Sequence, residues 1–480
     1  MELTNEQDYA FNKYLNKENI FVTGPGGSGK SLFIKHIVEH ADNNGIDIHV
    51  CAMTGCAAIL LECGAKTLHS WGGFGLAKGD VNIISNTIAD NKYKRKNWQK
   101  VKILIVDEIS MLSYKLFELI DLTARKTRKN TTIFGGIQVI FCGDFFQLPP
   151  VSNYDDPLSS KFCFEHPLFD QVFPNNNKIE FTHIFRQKDP LYTKILNRIR
   201  IGKISTKNII TLQECIGKTY DPDHHIRPTI IHPLKNPVEN INNESLERLS
   251  GEEHIFNMKY DLLDKDTLSS EQKEKCIYVT QKQIDIEYKM LENNINCLKS
   301  IKLKVGAQVM CIANLDLDKR DTPICNGSQG IIVNFNTETG NPIVKFNNGL
   351  VKHVPHHSWV SDNIPHLCIS QIPLILAWAV TIHKVQGTTI NLAEIDIGSG
   401  VFECGQTYVA LSRVTDLNGL YLKSFNPSKI KVNTKVQKFY EKMASISNGK
   451  NEGKKEGKND EKEIQKGKIP DMFKKFEYKG

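Results

Sequence analysis

The sequence predicts an α/β fold built on a doubly wound parallel sheet, with a β-rich unit further along the chain. Three observations predict it. Short apolar runs recur through residues 1–150 and alternate with stretches of helical periodicity. A hydrophobic fraction of 40% over 480 residues is enough to bury such a sheet on both faces. Between Leu303 and His353 the pattern switches to short β-rich runs separated by turn signals.

The apolar runs come in order as Ile20–Val22, Ile48–Cys51, Ile103–Val106 and Gln138–Phe141. They are nearly continuous and do not alternate, as expected of strands covered on both sides. Helical spacing lies between them, from Leu32 to Val38 and from Leu116 to Ile120. A polar stretch at about 74–101 interrupts this region. Its end, Lys92 to Lys102, holds six basic residues, no acidic one and the aromatics Tyr93 and Trp98. It reads either as a solvated surface insertion or as a nucleic-acid contact, cations meeting phosphate and rings stacking on bases. Residues 235–298 are polar and give only a vague pattern. The runs Gln308–Ile312, Gly330–Val333 and Pro342–Phe346, with turns at Asn326-Gly327 and Asn347–Gly349, predict a small antiparallel barrel. Apolar runs at 372–380 and 392–397 predict a return to a buried sheet. Beyond about 446 the Lys, Glu, Gly and Asn content predicts a flexible tail, ending in an aromatic segment, Met472–Tyr478, that could serve as a peptide for a protein partner.

Composition narrows the classes. No apolar run reaches the roughly 18 residues of a membrane span. The polar, acidic start Met1–Glu6 predicts neither a secretory signal nor a transit peptide. Twelve cysteines without a Cys-x-x-Cys pair read as reduced thiols of an intracellular protein. His353, His356, His357, His366 and Cys368 match no tetrahedral zinc spacing. The net charge of +7 is too small for this length to identify a partner.

Chemistry concentrates at one motif. Gly24-Pro25-Gly26-Gly27-Ser28-Gly29-Lys30-Ser31 follows the first strand and opens a helix. Glycines allow backbone N–H groups to turn toward phosphate oxygens, and the helix start adds its positive dipole end. Lys30 is then placed for the β- and γ-phosphates of ATP, and Ser31 for Mg²⁺. Asp107 and Glu108 end the strand Ile103–Val106, at the edge where ligands bind. Asp107 suits the metal, and Glu108 can polarise an attacking water. Gln147, in Gly143–Pro150, follows the next strand and could sense the γ-phosphate. Arg186 and Arg413 are each an ordinary surface arginine on their own, or a cation supplied across a domain cleft.

Taken together, these segments resemble the Pif-type (petite-integration-frequency) DNA helicases, in the 5′-to-3′ branch of helicase superfamily one and related to RecD. The resemblance covers about 2–425. It runs from Leu3–Gln7 through the phosphate loop to Met53–Ala58 with Gly64–Trp71, which is similar to the family's TGxAA…GxTxHSW signature. Val106–Met111, Gly143–Val151, Phe185–Gln187, Ile199–Gly202, Thr381–Gly387 and Tyr408–Val414 follow in order.

The resemblance implies two RecA-like P-loop domains with ATP between them. The first is 1–180, with its insertion at about 74–101. The second is 181–302 plus 361–446, with 303–360 as an inserted small β-barrel and 447–480 as the tail. It makes Gln7 the adenine contact, Arg186 and Arg413 the cross-cleft arginines, and Gln386, beside Gly387, a coupling residue. Thr54, His69, Ser70, Thr381, His383 and Lys384 become candidate DNA contacts; without the resemblance, His383 reads as a core residue. It implies a monomeric ATP-dependent motor that acts on single-stranded DNA and duplex junctions in replication, repair, recombination or telomere upkeep, with 74–101 as a wedge. The alternative is a DNA-stimulated ATPase switch or single-strand-binding module that does not unwind. One departure is Phe169, where the family carries tryptophan; its aromatic character predicts that the packing there is kept.

Overall fold

The computed structural model describes residues 3–452, apart from 62, 76, 152–155, 221–226, 296, 314, 362–363 and parts of 265–278 and 316–326. The tail from 453, with Met472–Tyr478, lies outside the described residues.

The first lobe is a six-stranded parallel sheet of β1 (Ile20–Thr23), β2 (Ile48–Ala52), β3 (Lys66–Thr67), β4 (Ile103–Asp107), β5 (Gln138–Cys142) and β6 (Lys178–Glu180), in the order β3-β2-β4-β5-β1-β6. The four apolar runs became its central strands because both faces are packed. Side chains alternate between the faces. Val22, Ile105 and Ile140 meet Phe33, Ile34 and Ile37 of the helix Lys30–Asn43, while Phe21, Leu104, Val106 and Phe141 meet Phe117 and Ile120 of the helix Tyr114–Arg128.

The stretch at 74–101, expected as a surface insertion, is mostly exposed and largely helical. It forms the helices Val81–Asp90 and Lys94–Lys100, packed on Tyr114–Arg128. Trp98 is fully buried, with its ring centroid 4.5 Å from that of Trp71 and its Nε1 donating to the Gly72 carbonyl. Trp98 is therefore a core anchor and not a stacking platform, whereas Tyr93 is 75% exposed. Only Ser85 and Ile88 in the first helix and Trp98 in the second are buried, and the basic residues around Trp98 hid its burial in the sequence.

The second lobe opens with the helices Pro190–Arg200 and Thr206–Gln213, preceded by Arg186, and its parallel sheet starts at β7 (Thr229–His232), whose Ile231 shares a core with them. The chain then leaves it for an excursion of antiparallel strands: β8 (His254–Asn257), β9 (Lys259–Leu262), β10 (Ser300–Leu303), β11 (Gln308–Cys311), β12 (Gln329–Phe335), β13 (Pro342–Phe346), β14 (Val351–His353), β15 (His357–Val360), β16 (Leu367–Gln371) and β17 (Leu374–Leu376). It returns as β18 (Ala379–Thr381), β19 (Ala393–Ile397) and β20 (Leu420–Phe425), giving a parallel sheet ordered β18-β7-β19-β20.

The excursion is broader than 303–360. Its five-stranded sheet runs β14-β13-β12-β11-β17, β8 pairs with β10, and β9 joins β15 and β16. No ladder between β14 and β17 closes the five strands among the described residues. Leu374–Leu376 pairs here and not in the parallel sheet; a short apolar run alone does not say which sheet it joins.

The last helix, Thr434–Glu452, extends past the expected boundary at 446 and returns to the first lobe. Phe439 packs on Phe21, Phe145, Phe164 and Phe169. Phe169 is fully buried in this ring cluster, so the aromatic packing expected of it is present. Among the described residues, no helix is long and apolar enough to cross a membrane.

Candidate functional site

The phosphate loop leaves the C-terminal end of β1. Gly24 (φ 144°) and Gly27 (φ 83°) take left-handed backbone, and a Cβ at either would come within 2.4 Å of a neighbour, the Phe181 carbonyl or the Arg186 Cβ. Lys30 Nζ donates to the carbonyls of Gly24 (2.7 Å) and Pro25 (3.0 Å), and lies 3.4 Å from the Ser28 hydroxyl. Burial lowers the Lys30 pKa, opposed by the charges of Asp144, Glu108 and Asp107. Gln7 closes the base of the loop. A capping box with Thr4 fixes it, and its Nε2 donates to the Gly29 carbonyl at 3.4 Å. Ser31 is exposed at the start of the helix.

The two carboxylates diverge. Asp107 ends β4, accepts from the Glu108 N–H at 2.8 Å, and is pushed well above the ordinary carboxylate range by burial and by Glu108. Glu108 itself adopts φ 54°, ψ 41°, a left-handed conformation costing about 1–2 kcal/mol for a residue with a Cβ. That turn sends its carboxylate toward the second lobe, where Oε2 accepts from Gln386 Nε2 at 3.1 Å.

The second lobe answers with two guanidiniums. A Cβ placed on Gly26 would lie 3.4 Å from Arg413 and 3.7 Å from Arg186. Arg413 is 1% exposed and is held by the Val409 carbonyl (2.9 Å) and the Ser412 hydroxyl (2.7 Å). Burial, and next the nearby Arg186, bring its pKa down to about 9, so it stays charged at neutral pH. Arg186 donates to the Gly387 carbonyl at 3.2 Å. Lys30, Glu108, Arg186, Arg413, Gln386 and Gly387 thus converge on one loop, although Arg413 is 383 positions from Lys30 (413 − 30) in the sequence.

Gln147 does not join them through any hydrogen bond. It is buried, its backbone carbonyl packs against Gly405, and its Oε1 has no hydrogen-bond partner among the described residues. The strand-contact candidates fall in two groups. Thr54, His69 and Ser70 follow the C-terminal ends of β2 and β3, and Thr381, His383 and Lys384 lie at the C-terminal end of β18. Both groups occupy the sheet edge that carries the phosphate loop or its counterpart. Thr381 is buried, while His383 and Lys384 are exposed; burial keeps His69 below the ordinary imidazole range.

Three participants escaped the sequence reading. Tyr408 Oη accepts from the Gly26 N–H at 2.9 Å. Gln187 Nε2 donates to the carbonyls of Ser412 and Val414, pinning the Arg413 turn. Asp144, fully buried, pairs with Arg200 through two bonds of 2.8 and 3.0 Å. Tyr408 carried only a faint signal, its place at the start of the Tyr408–Val414 segment. The Asp144–Arg200 pair carried none, because its partners are 56 residues apart.

Two parallel sheets, one bearing a phosphate loop and the other sending arginines to it, define a two-lobed P-loop protein with RecA-like domains. A family profile described as PIF1-like helicase matches residues 2–208, and one described as the 2B domain of DNA helicase Pif1 matches 290–335, within the β-rich excursion. The chain is 34% identical over 452 residues to the ATP-dependent DNA helicase PIF1 of Xenopus laevis, covering 92% of this chain and 65% of that protein. It is 30% identical over 522 residues to the ATP-dependent DNA helicase RRM3 of Saccharomyces cerevisiae, covering 92% of this chain and 68% of that one. The crystal structure of the Pif1 helicase from Candida albicans matches with a TM-score of 0.73 at 31% identity, covering 92% of this chain and 100% of that one. The chain belongs to the Pif1 helicase family. It spans just under two thirds of the length of the Xenopus relative.

Proposed function

We propose that this protein is an ATP-dependent DNA helicase that moves 5′ to 3′ on single-stranded DNA and opens duplex at junctions. The observation that carries the reading is the approach of Arg413 and Arg186, from the second lobe, to Gly26 of the phosphate loop. Phosphoryl transfer asks a protein mainly for positioning and charge neutralisation. Lys30 would neutralise the β- and γ-phosphates, Glu108 would orient and deprotonate the attacking water, and the two arginines would stabilise charge developing on the transferred group. Ser31 and Asp107 offer hard oxygen donors that fit Mg²⁺, and a cation there would relieve the unfavourable burial of the Asp107 charge. A cation held by Ser31 and Asp107 would supply charge neutralisation at the phosphates.

Because groups from both lobes meet at the same phosphates, each hydrolytic cycle can alter the cleft. Gln386, bonded to Glu108, sits five residues after Thr381 (386 − 381), so the water-orienting carboxylate is tied to a candidate strand contact. Strand contacts at Thr54, His69 and Ser70 on one lobe and Thr381, His383 and Lys384 on the other would then approach and separate, stepping the chain along DNA. The excursion from β8 to β17 would act as the inserted barrel-like unit, and the helices at 81–100 as a rigid element beside the junction.

Partial duplexes with a 5′ or a 3′ single-stranded tail test the direction. Unwinding of the 5′-tailed substrate alone, dependent on ATP, is expected. Unwinding only from 3′ tails would overturn the polarity, and ATPase stimulated by DNA without unwinding would reduce the protein to a switch. In the same assay Lys30→Ala should lower ATP hydrolysis by at least about 10²-fold, the scale for losing one preorganised charge-stabilising group, with an unchanged circular dichroism melt.

A further inference from the structure

We infer that the Tyr408 hydroxyl is a positioning latch that competes with the terminal phosphate of the nucleotide for the Gly26 N–H. The inference rests on the reading of the loop as an ATP site. Gly26 has one amide hydrogen, and it is directed to Tyr408 Oη at 2.9 Å. An N–H···O bond is directional, so a bond to the phenol and a full-strength bond to a phosphate oxygen exclude each other. Gly26 is the loop residue flanked by both guanidiniums, and its N–H points to Tyr408 on the same lobe, the side from which the arginines would meet the transferred phosphate. Tyr408 is 3% exposed, and burial pushes its phenol up to about 12, so the group stays an uncharged hydroxyl and does not act as a permanent anion at the loop.

The latch has a direct mechanical output. Tyr408 lies on the helix Gln406–Leu411, all six residues of which are buried. Arg413 Nε donates to the carbonyl of Val409, the residue next to Tyr408. Release of Tyr408 from Gly26 therefore moves the same turn that carries Arg413. A diphosphate can leave the Gly26–Tyr408 bond in place, whereas a triphosphate must break it. The second lobe thereby distinguishes the two nucleotides through one hydrogen bond, in addition to the charge interactions of the arginines.

Tyr408→Phe tests this, with fluorescent ribose-labelled ADP and the labelled imido analogue of ATP as probes, in Mg²⁺ and without DNA. Wild-type protein should bind both. The variant loses the competing acceptor, so affinity for the ATP analogue should rise about fivefold, the scale of one net hydrogen bond, while affinity for ADP stays within about twofold. Tyr408→Leu also lacks the hydroxyl and should shift the same ratio in the same direction, which covers the case in which the Phe variant folds poorly. An unchanged ratio, or weaker binding of the ATP analogue, would overturn the latch while leaving the ATP site intact. Failure of the wild-type protein to bind either nucleotide would overturn the functional reading and the latch with it.

Discussion

Arg413→Ala is expected to lower the ATP turnover number by about 10³–10⁵-fold, the range for loss of an arginine that stabilises a transferring phosphoryl group. Nucleotide affinity should change far less, because the arginine acts on charge that develops during transfer while Lys30 and the loop amides hold the ground state. The geometry supports a large effect. The guanidinium is 1% exposed and lies against Gly26, so its charge acts through little water. It is also held in place before reaction by the Val409 carbonyl and the Ser412 hydroxyl. Arg413→Lys should recover little, since an ammonium cannot reproduce a planar fork that bonds its own helix and faces the loop at once. Steady-state ATPase with saturating single-stranded DNA, alongside equilibrium binding of labelled ADP, separates the two quantities. A turnover number within tenfold of wild type would remove Arg413 from the chemistry.

The second large effect concerns stability. Arg200→Ala should cost about 3–5 kcal/mol, because it strands a buried carboxylate. Asp144 has a fully buried side chain and receives two bonds from Arg200, which also reaches Glu180 at 3.2 Å. Burial opposes the Arg200 charge, but Asp144 and Glu180 outweigh it and keep the guanidinium firmly protonated. Its Cζ lies 4.8 Å from the centroid of Phe146 and 5.4 Å from that of Tyr440. Tyr440 in turn meets Thr23 Oγ1 at 2.5 Å, immediately before the phosphate loop. The double variant Arg200→Met with Asp144→Leu should regain most of the loss, since no charge is then left unpaired. By contrast Lys442→Ala, which breaks a pair with Asp170 whose side chains are 61% and 53% exposed, should change stability by less than about 1 kcal/mol. Urea midpoints of the four proteins at fixed slope measure these differences. A loss below about 1 kcal/mol for Arg200→Ala would show that water reaches Asp144.

The central strands and the phosphate loop were legible in the sequence for a local reason. Packing on both faces demands continuous apolar runs, and a loop that wraps phosphate demands glycines at fixed spacing. Those requirements fall on consecutive residues. The packing of the helices at 81–100 was not legible because only Ser85, Ile88 and Trp98 among their residues are fully buried, and in Lys94–Lys100 the one anchor sits among basic residues. Leu374–Leu376 was assigned to the wrong sheet because its apolar character is equal in either.

The cross-lobe contacts were implied by the family resemblance and became specific only in three dimensions. The chain by itself determined which residues could bind phosphate, neutralise charge and build two sheets. The tertiary structure decided that Tyr408 bonds Gly26, that Glu108 turns toward Gln386, and that Tyr440 returns 417 positions to meet Thr23. Such pairings join residues with no local pattern between them. They are set by how two hydrophobic cores come to rest against each other, and no window of neighbouring residues encodes that.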